Sequence, residues 1–380
     1  MPPVKPMLCK VGTWEQVKLL LEGGQGQIEP KWDGFRCIAF CDGPLVELQS
    51  RNGRSLSRYF PELTAAIAAE LATRCVLDGE IVVAGPSGLD FDALSERIHP
   101  ASSRVAHLAK SAPASFVAFD VLAVADAVVT GEPFQLRREI LERILAHSRP
   151  PLHLTPVTKD LRVAEEWFKR FEGAGLDGIV AKPAGLAYLP ARRVMIKVKH
   201  RRTGDFVVGG FRWYRSDTSM VGSLMLGLYD GPELRHVGVI GSFPVAQRRR
   251  LVEELAGHRN PHAHPWVGSA PTCGPDAVGD NRWGPDDRHG GRPARQSRWS
   301  AGKDMSFEAL SPRLVVEAEF EQLQAGRLRH TARFVRWRPD REPTSATFDQ
   351  LDVAVPVLLS EVFGAGSAAI EADGSAGLEA

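Results

Sequence analysis

With 380 residues, 43% of them apolar and 24% charged, the chain is long enough for two or three domains, ordinary in composition for a globular protein, and able to bury a sizeable core. No apolar run approaches the roughly 20 residues of a membrane helix, and Met1-Pro2-Pro3-Val4-Lys5 leads into no apolar signal region, so neither a membrane span nor export is expected. A formal net charge of +1 excludes a uniformly basic or acidic chain and moves the question to local charge.

In chain order, Gln27 to Lys31 leads into an Asp33-Gly34 turn. Phe35 to Cys41 is predicted as a period-2 strand closed by Asp42-Gly43, and Leu45 to Gln49 as another closed by Arg51-Asn52-Gly53. Apolar runs parted by Asp-Gly and Asn-Gly read as antiparallel hairpins. Pro61 to Thr73 has helical spacing with Pro in its first turn, and Cys75 to Val83 reads as a strand pair. Phe91 to Ile98 reads as a helix and Ser115 to Val121 as a strand. Arg137 to His147 and Val163 to Gly173 are amphipathic helices, the second ending at a glycine, and Gly178 to Lys182 and Val194 to Lys199 are strands. The five cysteines are few and odd in number, which fits reduced thiols in a cytoplasm. Cys37 and Cys41 lie in one predicted strand and read as buried thiols, since no second Cys/His pair accompanies them as a zinc site would need.

The composition changes after Lys199. Lys199-His200-Arg201-Arg202-Thr203-Gly204 reads as a hinge. Strands are predicted at Asp205 to Trp213, Ser223 to Tyr229 and Leu234 to Ile240, a helix at Pro244 to Gly257, and strands at Arg313 to Phe320 and Ala332 to Arg338. Three strands, a helix and two strands match an OB-fold, a small barrel that often binds nucleic acid. The expected fold class is therefore α+β: antiparallel sheets with flanking helices over 1–202, an OB-fold barrel over 203–350 with a long loop at 260–301, and a C-terminal segment 351–380 ending in a loose Ala/Gly/Ser-rich tail. Two runs are strongly basic. Arg192 to Arg215 carries eight cations against Asp205, and Arg327 to Arg341 carries six against Asp340, a distribution suited to phosphates.

The candidate chemistry begins at Lys31-Trp32-Asp33-Gly34. One lysine beside a turn is a weak signal, and what raises it is the ordered series behind it. Arg51-Asn52-Gly53 lies on a turn, Asp78-Gly79-Glu80 and Asp177-Gly178 put carboxylates at strand starts, and Phe116 and Phe119 share one strand. Lys197 and Lys199 fall on one face of a strand, because side chains repeat every two residues, and so concentrate positive charge suited to a polyphosphate.

The strings Glu-Pro-Lys-Trp-Asp-Gly-Phe-Arg at 29–36, Ser-Arg-Asn-Gly at 50–53, Leu-Asp-Gly-Glu at 77–80, Phe-Val-Ala-Phe-Asp at 116–120, Asp-Gly-Ile-Val-Ala-Lys at 177–182 and Lys-Val-Lys-His-Arg-Arg-Thr at 197–203 give the chain a clear likeness. Ser297 to Asp304 and Arg329 to Arg341 extend it. The sequence resembles the ATP-dependent DNA ligases, a branch of the covalent nucleotidyltransferases, and among them the short bacterial ligases of the ligase C type and the ligase module of ligase D. The resemblance implies a lysine that attacks the α-phosphate of ATP, passes AMP to a 5′-phosphate at a nick, and leaves the 3′-hydroxyl to close the break. It implies Lys31 as the adenylated lysine, Phe119 as the platform for adenine and Glu29 near the base edge. Arg36 and Arg51 resemble the arginines that hold the nucleotide or the 5′-phosphate, Glu80 the residue at ribose and metal, and Lys197 and Lys199 the α-phosphate contacts, with Arg193 a further phosphate contact. Glu80 and Asp177 are the ligands implied for Mg²⁺ or Mn²⁺. Arg336, Arg338, Asp340 and Arg341 resemble the motif that closes over ATP and orients pyrophosphate. The implied partner is nicked duplex DNA, bound by a monomer in the cytoplasm at the nucleoid, in DNA repair; a repair polymerase or end-joining partner is not legible. Two positions depart from the pattern: Asp177 stands where many such enzymes carry Glu, and Arg341 where the last motif often ends in lysine, which keeps charge and changes geometry. Other readings share part of this pattern: an RNA ligase or GTP-using capping enzyme has a similar first half, and a non-catalytic nucleic-acid clamp would keep the basic surface and lose the nucleophile.

Overall fold

The computed structural model describes residues 3–365 apart from 87, 100, 216, 261–263, 267–305, 322, 325 and 352–354. The chain forms two compact units, one of Met1–Lys199 together with Ala354–Ala380, the other of His200–Val353.

The first unit has two sheets. One contains β1 (Leu8–Val11), β2 (Gly26–Pro30), β8 (Gly178–Pro183) and β9 (Arg193–Lys199), in the order β1-β9-β8-β2. Val180 of β8 lies between Glu29 of β2 and Lys197 of β9, and Gly178 faces Lys199. Lys31 continues the ladder, its N–H donating to Gly178 O at 2.8 Å and its carbonyl accepting from Asp177 N at 3.1 Å. The period of two thus gathers Glu29, Lys31, Lys197 and Lys199 on one face. Val17 of α1 (Trp14–Glu22), Ala164 of α6 (Leu161–Arg170), Ile28, Ile179, Ala181 and Val198 form one buried cluster that fixes the sheet.

The other sheet contains β3 (Phe35–Asp42), β4 (Leu45–Ser50), β5 (Cys75–Gly85), β6 (Ala114–Val124) and β7 (Leu152–Leu154), ordered β4-β3-β5-β6 with β7 parallel to β6. Helices α2 (Pro61–Glu70) and α5 (Phe134–Leu145) pack on it through Leu63, Ile67, Leu141 and Leu145, which share a core with Cys37, Leu48, Leu77 and Phe116. Met7, Ile38, Leu122, Tyr188 and Met195 form a further cluster drawn from both sheets. Helices α3 (Phe91–Glu96) and α4 (Ser102–Ser111) complete this side. The unit is α+β as expected, although β1–β9 and β6–β7 pair in parallel.

In this unit the strand pair expected from Cys75 to Val83 is not found. Cys75 to Val83 is a single strand, not a pair, because Asp78-Gly79 makes no turn. Asp78 is held inside the strand by Arg36 and Tyr188, and Gly79 sits where a Cβ would meet the Phe116 ring at 2.5 Å. The four described cysteines are free thiols, and Cys37 and Cys41 are buried.

The second unit is a barrel of β10 (Arg202–Tyr214), β11 (Asp217–Asp230), β12 (Glu233–Ile240), β13 (Val315–Phe320) and β14 (Arg333–Trp337), ordered β12-β11-β10-β13-β14. A parallel bridge between Ile240 and Ala332 joins the outer strands. Helix α7 (Val245–Ala256) lies between the third and fourth strands in sequence, the OB-fold order. Arg202 to Gly204, expected in a hinge, already belong to β10 and pair with Phe320 to Ala318. Most of the loop expected at 260–301 and the tail from 366 onward lie outside the described residues. The described part of that loop includes Trp266, which packs over Gly209 and Gly227 and donates to Leu234 O at 2.8 Å. Among the described residues no helix is long and apolar enough to cross a membrane.

His236 is buried in this barrel, and burial with Arg327 and Arg212 nearby lowers its pKa to about 3. The folded value lies below the unfolded one, so the unfolded chain takes up the proton first as pH falls. Stability is complete above about pH 6.5 and is lost toward pH 3, at about 1.4 kcal/mol per pH unit. Thermal melts of the full chain should show the second unit weakening by about 2 kcal/mol between about pH 6.5 and pH 5, with the slope reduced in His236→Phe. The same slope in that variant would acquit His236.

Candidate active site

Lys31 leaves β2 just before Asp33-Gly34, and Gly34 is required there, because a Cβ would lie 2.1 Å from Ile81 O. The Lys31 ammonium donates to Asp177 Oδ2 at 2.7 Å, and Lys199 Nζ lies 3.5 Å from the same oxygen. One carboxylate thus holds two of the expected site lysines. Lys197 lies on the same sheet face, two residues from Lys199 and one strand from Glu29.

Glu80 comes from β5 of the other sheet, opposite Arg36. Burial pushes its carboxyl up to about 7, against the opposing pull of Arg36 and Lys31, with Gly34 N–H as a hydrogen-bond donor. Arg36 is fixed on three sides. Its Nε and Nη2 each donate to Asp78 at 2.6 Å, Nη2 also reaches Met7 O at 3.3 Å, and the guanidinium stands 4.5 Å from the Phe119 ring centroid. Burial opposes its charge, but the Asp78 carboxylate outweighs that and holds the guanidinium protonated more firmly than usual. Tyr188 donates to the same carboxylate at 2.6 Å, and burial raises its phenol pKa.

Glu29 is buried and pairs with Lys182 at 2.7 Å; burial raises its carboxyl pKa, although Lys182 and Arg138 pull the other way. Lys182 also donates to Phe119 O at 3.1 Å and stands 4.9 Å from that ring. Behind Phe119, Asp120 accepts from Arg137 Nε and Nη2 at 2.8 and 2.9 Å in a buried pair. One neighbourhood therefore contains Lys31, Glu29, Asp177, Lys197, Lys199, Glu80, Arg36 and Phe119. Arg51 is exposed on the turn after β4, and Arg193 is exposed at the start of β9.

In the second unit, Arg338 Nη1 donates to both oxygens of Asp205 at 3.0 Å, and its Nη2 donates to Asp340 at 2.8 Å. Arg341 Nε lies 3.0 Å from Asp205, and Arg336 Nε donates to Glu317 at 2.7 Å. The Arg338 hydrogen bond holds the Asp340 carboxyl down to about 2. Sequence reasoning gave no roles to Asp78, Arg138, Lys182, Tyr188 or Asp205. Lys182 had a legible signal, since it shares the strand phase of Val180. Arg138 also had one, as a cation in the buried phase of an amphipathic helix.

Residues 6–199 match the family model of the ATP dependent DNA ligase domain, and residues 217–341 match that of the ATP dependent DNA ligase C terminal region. DNA ligase C of Mycobacterium tuberculosis is 48% identical over 369 residues, covering 95% of this chain and 97% of that protein. DNA ligase C2 of Mycolicibacterium smegmatis is 51% identical over 354 residues, covering 93% and 95%. The multifunctional non-homologous end joining DNA repair protein LigD of M. tuberculosis is 32% identical over 242 residues, 62% of this chain and 29% of that protein. A solved Lig E DNA ligase, at 17% identity, covers 87% of this chain and 99% of its own with a TM-score of 0.53, and so shares the fold. Matched in both halves, and aligned nearly end to end with two curated relatives, the chain belongs to the ATP-dependent DNA ligases.

Proposed function

We propose that Lys31 is the residue that carries AMP, and that the chain seals 5′-phosphate/3′-hydroxyl nicks in duplex DNA by way of that adduct. The observation that supports it most is the Lys31–Asp177–Lys199 arrangement, at 2.7 and 3.5 Å, on a sheet face shared with Glu29 and Lys197. Attack on the α-phosphate needs the neutral amine, which the positive charge of Lys197 and Lys199 favours, while Asp177 fixes the amine in place at hydrogen-bond distance. Lys197 and Lys199 then neutralise charge on the α-phosphate, since phosphoryl transfer rests on positioning and electrostatics more than on covalent help. Phe119 is the platform for adenine, and Arg36, fixed by Asp78, keeps one cation at its ring. Arg51 and Arg193, both exposed, are assigned to phosphates of the DNA, and Arg336, Arg338, Asp340 and Arg341 to orienting pyrophosphate.

Glu80 and Asp177 are the residues proposed to hold Mg²⁺ or Mn²⁺. Both are hard oxygen donors beside Lys31, and the burial that raises Glu80 would be relieved by a cation. Among the described residues no three His, Cys, Asp or Glu side chains form a metal cluster. When bound, the ion neutralises triphosphate charge. The proposed setting is DNA repair in the cytoplasm at the nucleoid, acting as a monomer on nicked duplex DNA. The likeness to LigD supports the repair setting.

The test is to incubate the wild-type chain with ATP labelled in the α-phosphate, digest it and map the label. The label should lie on the peptide containing Lys31, and transfer to nicked DNA when that is added. A label on any other residue would sink the assignment.

A further inference from the structure

Trp32 follows Lys31, and its carbonyl accepts from the Lys31 ammonium at 3.4 Å. Two contacts fix its indole. Nε1 donates to Thr155 Oγ1 at 2.8 Å, and the ring stacks on Phe363 with centroids 5.1 Å apart and 16° between planes. Phe363 also stacks on His153, at 3.9 Å and 11°. Phe363 comes from the C-terminal segment of the first unit, which is helical over 359–365. The backbone of this segment is seated closely. Val357 N donates to Gly173 O at 3.1 Å, and a Cβ on Gly173 would lie 1.7 Å from Val355 O. Glu361 pairs with Arg170 of α6, and Val357 and Val362 are buried in one cluster with Trp32, Phe171, Ala174 and Leu176. Leu176 precedes Asp177, which holds the Lys31 amine. The segment therefore backs both members of the Lys31–Asp177 pair. Its residues in the cluster are apolar, so they offer no acid, base or nucleophile of their own.

We propose that Phe363 is a positioning residue for adenylylation: by stacking on Trp32 it fixes the peptide that follows Lys31, and with it the line along which the amine meets the α-phosphate. This rests on Lys31 as the adenylated residue. A lysine carries its amine on a flexible four-carbon stem, so the groups that hold the two ends of that stem set its aim. Here one is Asp177 at the amine, and the other is the Trp32 backbone at the root. An indole tied only through Nε1 can still pivot about that bond, and a near-parallel ring beside it restricts the pivot. The geometry for attack is narrow, and a misplacement of about 1 Å costs about 100-fold. Closure of the nick uses the 3′-hydroxyl as nucleophile, so the dependence on Phe363 is confined to the steps in which Lys31 bonds AMP.

The test follows two reactions of the full chain: formation of the lysyl adduct from ATP labelled in the α-phosphate, in a single turnover, and closure of a nick whose 5′ end is already adenylated. Phe363→Ala should slow adduct formation at saturating ATP by about 10- to 100-fold, leave half-saturation by ATP unchanged, and close the pre-adenylated nick at the wild-type rate. Phe363→Tyr keeps the ring and should restore the adduct rate. Phe363→Leu keeps apolar bulk without a ring and should not. Thermal melts set an assay temperature at which the variants are folded, and Phe363→Leu carries the test if Phe363→Ala melts below it. A wild-type adduct rate in folded Phe363→Leu overturns the proposal. Equal losses in the two reactions also overturn it, because a general loosening of the first unit produces that pattern. A raised half-saturation by ATP with an unchanged saturated rate does so too, since it assigns Phe363 to nucleotide binding. A wild-type label on a residue other than Lys31 is a different failure, that of the site reading beneath the proposal.

Discussion

Lys31→Ala should abolish the covalent AMP adduct and reduce joining from ATP by more than about 10⁴-fold, the scale seen when an essential covalent nucleophile is removed. No neighbour can substitute. Lys199 shares Asp177 with Lys31 but is held on a different strand, and Lys182 is committed to Glu29 and Phe119. Lys31→Arg should fare no better, because a guanidinium stays protonated in proteins and cannot attack. The last step of the reaction makes a different demand. Once AMP sits on the 5′ end, the 3′-hydroxyl is the nucleophile, so Lys31→Ala should still close a nick supplied with its 5′ end already adenylated. Substrates with free and with pre-adenylated 5′ ends, run side by side with ATP, separate the two cases. Full joining of the free 5′-phosphate by Lys31→Ala would overturn the assignment, whatever happens with the second substrate.

Arg137→Met should destabilise the first unit by about 3–5 kcal/mol, as expected when one partner of a buried ion pair is removed. Arg137 is fully buried and uses three of its nitrogens: two donate to Asp120, and Nη1 donates to Glu132 O at 2.6 Å and Leu186 O at 2.8 Å. Methionine fills much of the space and bonds none of these acceptors, so Asp120 is left as a buried charge. For a unit of this size the melting temperature should fall by roughly 10 °C. Asp120→Leu together with Arg137→Met removes the stranded charge and should recover a large part of the loss, since apolar replacement of a whole buried pair is often neutral. A loss below about 1 kcal/mol in the single variant would mean that water or a side-chain shift satisfies Asp120. Asp120 follows Phe119, so adenylylation at a temperature where the variant is still folded reports whether the pair also holds the platform.

Much of the site was legible in the sequence because strands write their faces with a period of two. Lys197 and Lys199 could be placed on one face before any register was known, and Lys31 could be placed at a strand end by the Asp33-Gly34 that follows it. What could not be read was which strand lies beside which. The meeting of Lys31 with Asp177 depends on the pairing of β2 with β8, a contact between distant segments that no local spacing encodes. The same applies to Asp205, whose single negative charge in a basic run became meaningful only where the fold brings Arg338 and Arg341 to it. Asp78-Gly79 misled for a complementary reason. The dipeptide favours a turn locally, but Arg36, Tyr188 and the Phe116 ring fix both residues inside a strand. Helices α1 and α4 went unread because their apolar residues are mixed with Lys, Gln and His; α4 has no side-chain cap, whereas the Thr13–Gln16 capping box of α1 was a start signal the reading passed over.

Trp32, the neighbour of Lys31, stacks on Phe363 at 5.1 Å, and Phe363 in turn stacks on His153 at 3.9 Å. Val357 N also donates to Gly173 O at 3.1 Å. During synthesis this part of the core must wait until the whole second unit, which precedes Phe363 in sequence, has left the ribosome. A nascent first unit therefore has its candidate nucleophile in place long before the wall beside it is finished, and a chain stopped after the barrel would leave that indole without its Phe363 partner. Synthesis of the segment around Phe363 and completion of the surroundings of Lys31 are, in this fold, the same event.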